Sequence, residues 1–114
     1  MIADLTQRVM RMDIDNDPNL DADLWAFFGL TGPHLPLTSS IDAARHLLEK
    51  MYVTSIVTLN FNPSGEGCDI VWFPYGLSGE KEVKASAVHY TLPAAMMLAA
   101  LRMWTFKEMS KKLP

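Results

Sequence analysis

The residues that could do chemistry are few in this sequence, and the most suggestive group is acidic. Asp13, Asp15 and Asp17 have the spacing that begins an EF-hand calcium loop. Such a loop needs a glycine at its sixth position and a bidentate glutamate at its twelfth. This chain has Pro18 and Leu24 at those positions. The segment is therefore predicted to be an acidic, helix-capping linker rather than a calcium site.

Metal binding and nucleophilic catalysis are not favoured by the remaining reactive residues. His34, His46, His89 and Cys68 do not have the short spacings of structural zinc sites. Cys68 precedes Asp69, whose carboxylate would raise the pKa of the thiol rather than activate it. The sequence has no G-x-S-x-G nucleophile motif and no glycine-rich phosphate loop followed by lysine. We therefore expect no metal centre, no cofactor and no enzymatic activity.

Trp72, Phe73 and Tyr75 form the densest aromatic group. A base-stacking platform normally has basic residues between its aromatic residues, and the next charged residue here is Glu80. Two interpretations remain: the aromatic residues close the edge of the core, or they form a contact patch for a protein or a small ligand. The second interpretation adds His34, from the proline-containing loop 31–37, to the patch.

Composition and charge limit the class of protein. The 114 residues are 49% hydrophobic and carry a net charge of −3, which fits one globular domain, 1–114. We divide it into an N-terminal helix and acidic linker (1–17), a core (18–109) and a basic tail (110–114). An acidic chain without a broad basic stripe is not expected to bind duplex nucleic acid. One cysteine permits no intrachain disulfide, and the cytoplasm is the expected location.

Hydrophobic periodicity and turn residues predict seven elements to position these groups. Helices are expected at 3–12, 18–28 and 39–51, and Gly29 is expected to end the second of them in the left-handed conformation. Strands follow at 52–61, 68–73 and 83–90, and a final helix begins near residue 91. This order predicts an α+β sandwich domain, in which a small three-stranded antiparallel sheet packs with about four helices.

The final helix has an unusually apolar sequence. Its longest uncharged apolar stretch, 92–101, is about half the roughly 20 residues that a membrane span requires, so we expect no membrane partner. A helix that is apolar nearly all round is either wrapped by its own domain or shared with a second chain. If a second chain covers it, the candidate contact residues are Met96, Met97, Leu101, Met103 and Trp104.

Three segments, WAFFGL, LTSSIDAARHLL and ASAVHYTLPAAMMLAALRMW, resemble a family of small phage and prophage proteins, the phage αβα-sandwich domain. The resemblance covers roughly residues 20–106. The matching positions are Trp25, Gly29, Leu30, Ser40, Ile41, Asp42, Ala43, Ala44, Thr91, Pro93, Ala94, Ala95, Leu98 and Leu101. This chain lacks the family's Pro-Glu-Gly-Trp turn, and Leu92 separates Thr91 from Pro93. The resemblance implies a phage origin and an architecture, but no chemistry.

These observations lead to three functional hypotheses. The first is a non-enzymatic phage accessory protein that acts by protein contact, with a host or phage protein or with itself, for instance as an inhibitor of host defence. The second is a module that binds a small ligand or nucleotide near Trp72, Tyr75 and the loop 31–37. The third is a virion or packaging component.

Overall fold

The structure, a computed structural model, describes residues 2–11, 18–62, 65–73 and 82–112. These residues form an α+β fold, as predicted, with four helices and a three-stranded antiparallel sheet. The elements are α1 (Ile2–Met10), α2 (Pro18–Phe27), α3 (Ile41–Met51), β1 (Ser55–Asn62), β2 (Gly65–Trp72), β3 (Val83–His89) and α4 (Leu92–Lys112).

Local backbone chemistry sets the ends of the helices. Gly29 has a φ of +72°, and its N–H and that of Leu30 donate to the carbonyls of Ala26 and Trp25. This pair of bonds is a Schellman motif, which confirms the predicted glycine stop of α2. Helix α3 begins two residues later than the predicted position 39, because Ser40 is its N-cap and the Ser40 hydroxyl accepts from the N–H of Ala43 at 3.2 Å.

The sheet has the order β1-β2-β3, and both strand pairs are antiparallel. In the register, Val57 pairs with Ile70 and Ile70 pairs with Ala85. Side chains alternate between the two faces of a sheet, so these residues share one face, together with the buried Cys68 and Ala87. We call this the inner face, and the opposite one, which has exposed residues on β1 and β3, the outer face.

Helix α4 lies between the sheet and the other helices. It packs on β2 and β3 on one side and on α1 and α3 on the other. The ring of Phe27 in α2 contacts that of Trp104 in α4, with 4.9 Å between the ring centroids. All residues from 92 to 101 are buried, because this helix has protein on both sides. The layers are therefore the sheet, then α4, then α1, α2 and α3.

The core is larger than the predicted range 18–109. Leu5 and Val9 of α1 are buried within it, and Nε2 of His89 in β3 lies 2.7 Å from the carbonyl oxygen of Val9. Helix α1 therefore belongs to the core rather than to a peripheral segment. At the other end, α4 continues to Lys112, so the first residues of the predicted tail are helical. The predicted acidic linker, 12–17, lies outside the described residues.

A buried carboxylate holds the loop between α2 and α3 in place. Asp21 of α2 accepts hydrogen bonds from the N–H of Thr38 at 2.8 Å and from its hydroxyl at 2.6 Å. Both residues are buried, and hydrogen bonds to a charged group are among the stronger ones in proteins. The loop is thus fixed to the helix that precedes it.

Tyr52 connects the end of α3 to α4. The sequence predicts it as the first residue of a strand, but it is the C-cap of α3, and β1 starts three residues later. Its buried hydroxyl donates to the carbonyl oxygen of Ala100 at 2.7 Å. The side chain therefore joins two helices rather than packing on the sheet from within a strand.

We expect Tyr52→Phe to lower the free energy of unfolding by about 1 kcal/mol, the usual contribution of one intramolecular hydrogen bond. Urea denaturation followed by circular dichroism measures this change. Tyr90→Phe is the control, because Tyr90 is 79% exposed. Equal effects of the two substitutions would show that the Tyr52 hydroxyl does not stabilise the fold.

Candidate functional site

The methionine-rich helix is a core element rather than a contact surface. Met96, Met97, Leu101 and Met103 are at most 1% exposed, so the chain itself covers them. The sequence left two alternatives for this helix, burial within its own domain and contact with a second chain. The structure shows burial within the domain. The assignment of these four residues as contact residues is therefore corrected. Trp104 is partly exposed, although its ring packs against Phe27.

The residues of the predicted aromatic patch come from different parts of the fold. Trp72 belongs to the inner face, where its ring lies 5.6 Å from the ring of Tyr52 and 5.6 Å from Nζ of Lys107. Its neighbour Phe73 follows the last residue of β2 and is half-buried. His34 is exposed in the loop between α2 and α3, and Tyr75 lies outside the described residues. The described members of the predicted group are therefore carried by the end of β2 and by the loop between α2 and α3.

Cys68 has no features of a nucleophile. It is buried in β2, and burial raises the pKa of its thiol to about 12, with a further contribution from the Asp69 carboxylate. At neutral pH the thiol is therefore protonated. Within the described ranges, no group of three or more His, Cys, Asp or Glu residues could hold a metal ion. Asp13, Asp15 and Asp17 fall outside those ranges.

We expect the stability of the protein to fall as the pH rises above about 9. The unfolded Cys68 thiol ionises near pH 9, whereas the folded one holds its proton up to a pKa of about 12. The unfolded state then binds fewer protons than the folded state, so the free energy of unfolding decreases with pH. Denaturant titrations at pH 7, 9 and 10 measure the slope.

Cys68→Ala is the control for this pH dependence. The slope of this variant above pH 9 should be shallower than that of the parent protein. It should not vanish, because burial also raises the pKa of the Tyr52 phenol above its ordinary value. An unchanged slope in Cys68→Ala would contradict the assignment to the thiol.

The outer face of the sheet and its two edges remain as candidate contact surfaces. Ile56 on β1 and Val88 on β3 are 55% and 57% exposed on the outer face. They are accompanied by exposed polar residues such as Thr58 and Ser86. The main helix–sheet contacts are those of α4 with β2 and β3, so β1 is the strand that extends furthest from the helices.

The two edge strands, β1 and β3, differ in how well they are protected from pairing with a strand of another chain. One main-chain carbonyl of β3 is already bonded to α4, because Nη1 of Arg102 donates to the carbonyl oxygen of Ser86 at 2.7 Å. Lys84 also adds a charge to β3. Such charges are a common means of preventing edge strands from pairing with other chains.

Within the residues that the structure describes, strand β1 has no charge, bulge or covering strand to protect its edge. The sequence from residue 51 to residue 65 contains no Asp, Glu, Lys or Arg. The eight-residue pairing with β2 runs from Ser55 to Asn62 without a bulge, and no strand of the described parts of the chain pairs with its other edge. An uncharged, regular edge strand of this length is a template for pairing with another strand.

The turn that leads into β1 is fixed by hydrogen bonds. The indole N–H of Trp72 donates to the carbonyl of Val53 at 3.0 Å, and the N–H of Phe73 donates to the carbonyl of Thr54 at 3.0 Å. Thr54 has a φ of +63°, which is costly for a β-branched residue. The two hydrogen bonds hold Thr54 in this conformation, and they therefore set the position at which β1 begins.

No model of a known protein family matches this chain, and no curated protein or solved structure matches it either. The resemblance to a phage family therefore stays a prediction from the sequence. Among the described helices, none combines the length and the apolar character that crossing a bilayer would require. The geometry of the surface is thus the evidence on which a function can be proposed.

Proposed function

We propose that this chain is a non-enzymatic binding protein that acts through protein contact, and that edge strand β1 makes the contact. The observation that carries this proposal is the uncharged, unbroken edge of β1, in contrast to the β3 edge, where Arg102 already bonds one main-chain carbonyl. Addition of a strand to an open edge is a recurrent mode of protein recognition, in which main-chain hydrogen bonds supply the affinity.

The occupant that we propose is a second copy of the chain. Two β1 strands that pair antiparallel across a twofold axis would join two sheets into one of six strands. Although the chain has a net charge of −3, β1 itself is uncharged, so the pairing opposes no like charges. The charged residues Asp69 and Lys84 are on β2 and β3, away from this seam.

The size of this contact sets its expected strength. One pair of eight-residue strands buries less than the roughly 800 Å² per partner of a standard interface. We therefore expect a dissociation constant in the micromolar range. The fixed turn at Val53 and Thr54 favours binding, because less of the strand has to be ordered when the copies meet.

The sequence resemblance adds an origin to this proposal. It suggests an accessory protein made by a phage or prophage in the bacterial cytoplasm, where an assembled form could meet a host protein such as a defence component. This part rests on the sequence motifs, whereas the contact surface rests on the geometry of β1.

We expect the protein to be a dimer at high micromolar concentration and Ile56→Lys to weaken the dimer by about tenfold or more. The substitution places a lysine from each copy beside the uncharged seam and removes apolar cross-strand pairs. Size-exclusion chromatography with light scattering, over a concentration series, measures the association. Circular dichroism checks that each variant is folded.

Val88→Lys is the matched control. Val88 is also β-branched, lies on the same face and is exposed to nearly the same extent as Ile56, 57% against 55%, but it is on β3. The dimer of Val88→Lys should have the same dissociation constant as that of the parent protein. A parent protein that stays monomeric would overturn self-pairing, and equal weakening by both substitutions would overturn the assignment to the β1 edge.

A further inference from the structure

The free edge of β1 presents a definite set of main-chain groups. In an antiparallel pair, opposite residues alternate between pairs that exchange two hydrogen bonds and pairs that exchange none. The N–H of Phe73 donates to the carbonyl of Thr54, and Ser55 lies opposite Trp72 in the next pair of the register. The main-chain groups of Ser55 therefore point away from β2, and so do those of every second residue after it. These outward residues of β1 are Ser55, Val57, Leu59 and Phe61.

The hydrogen bond of Arg102 agrees with this assignment. Across β2, the same alternation turns the main-chain groups of Lys84, Ser86 and Val88 toward the free edge of β3. The carbonyl that accepts from Arg102 is that of Ser86, which is one of these three. The pattern of outward residues is therefore consistent at both edges of the sheet.

Two β1 strands can use all of these outward groups when Thr58 lies on the twofold axis. In that register Ser55 of one copy lies opposite Phe61 of the other, and Val57 lies opposite Leu59. Each of these pairs can exchange two main-chain hydrogen bonds. We call this the central register, because it pairs the outward residues of β1 from the first to the last.

Shifted registers lose hydrogen bonds because of the residues on either side of β1. Moving the axis one residue toward the end of the strand brings Ser55 opposite Pro63, which has no N–H to donate. Moving the axis one residue toward the start brings Phe61 opposite Val53, whose carbonyl already accepts from the Trp72 indole at 3.0 Å. Val53 and Pro63 therefore limit the pairing to the segment between them.

The central register also places side chains of matching character opposite each other. On the inner face, Val57 of each copy lies opposite Leu59 of the other. Both residues are half-buried and pack against the core, so the pairing would remove more of their apolar surface from water. On the outer face, Thr58 lies opposite its symmetry mate, and Thr–Thr pairs are among the favourable cross-strand pairs.

We propose that two copies of the chain pair through β1 in the central register, with Thr58 on the twofold axis and Val57 opposite Leu59. This inference rests on the proposed self-pairing of β1, and it adds the residues that determine how the partner is recognised. The two apolar pairs on the inner face give the contact its affinity, and Val53 and Pro63 fix its register.

We expect Thr58→Cys to form a disulfide-linked dimer about tenfold faster than Ile56→Cys at high micromolar concentration, because pairing holds the new thiols at a millimolar effective concentration. Thr58 and its mate would form a non-bonded pair, with about 4.5 Å between their Cα atoms, and a disulfide spans this distance. The two Ile56 residues would be about 13 Å apart along the strands, which is too far. Oxidised glutathione is the oxidant, and non-reducing electrophoresis measures the rate.

Ser86→Cys is the matched control outside β1. Ser86 and Thr58 are both exposed, and both lie opposite Asp69, one on each side of β2. Ser86→Cys should cross-link as slowly as Ile56→Cys. The parent protein gives the background rate, because its own Cys68 is buried. Circular dichroism checks that each variant is folded.

A mixture of two variants tests the register a second time. In the central register, Ile56 of one copy lies opposite Asn60 of the other. An equimolar mixture of Ile56→Cys and Asn60→Cys should therefore cross-link faster than either variant alone. Equal rates for the mixture and for the separate variants would contradict the register.

The register and the self-pairing can fail separately. If the parent is a dimer by light scattering but Ile56→Cys cross-links as fast as Thr58→Cys, the central register is overturned and the dimer remains. If Ser86→Cys cross-links as fast as Thr58→Cys, or if the parent stays monomeric, both the register and the proposed contact through β1 are overturned.

Discussion

The whole structure depends on the need to bury α4 on both of its sides. Its sequence is apolar nearly all round, so one layer of protein cannot cover it. The sheet covers one side, and α1 and α3 cover the other. The small residues Ala94, Ala95, Ala99 and Ala100 are buried along its length and leave room for both layers to approach closely. Every other element is placed by its contact with this helix or with the layers that surround it.

This arrangement also explains where the protein can make contacts. Because α4 is central, the sheet is an outer layer, and one of its faces has exposed residues. Because α4 packs on β2 and β3, β1 extends beyond the best-covered part of the core. The three methionines of α4 that suggested a contact surface, Met96, Met97 and Met103, are buried, whereas the uncharged strand β1 forms an edge of the sheet. Function is thus expected on the elements that α4 leaves uncovered.

Much of the fold could be predicted because periodicity and turn residues are local signals. All seven elements were expected near their observed positions, and Gly29 closes α2 as its type implies. The junction at Tyr52 could not be predicted. Its β-propensity favours a strand, but a hydrogen bond to Ala100, 48 positions away, places it at the end of a helix. The sequence shows that α4 is apolar nearly all round, but it does not show which elements cover it.

The candidate sites were harder to predict for similar reasons. Trp72 is the last residue of β2 and its ring packs on Tyr52, a contact between distant elements that a count of aromatic residues in the sequence does not reveal. The absence of charge along β1 could have been noticed in the sequence, but its meaning depends on β1 being an edge strand.

The central position of α4 also affects the order of events during synthesis. Ribosomes add roughly 5–20 residues per second, so about 2–8 s pass between the addition of Asn62 and that of Met103. Throughout that interval β1 is complete, while the helix that holds the sheet to the remaining helices does not yet exist. The apolar residues of the sheet and of α1 and α3 that pack on α4 therefore stay uncovered until this last helix has been made.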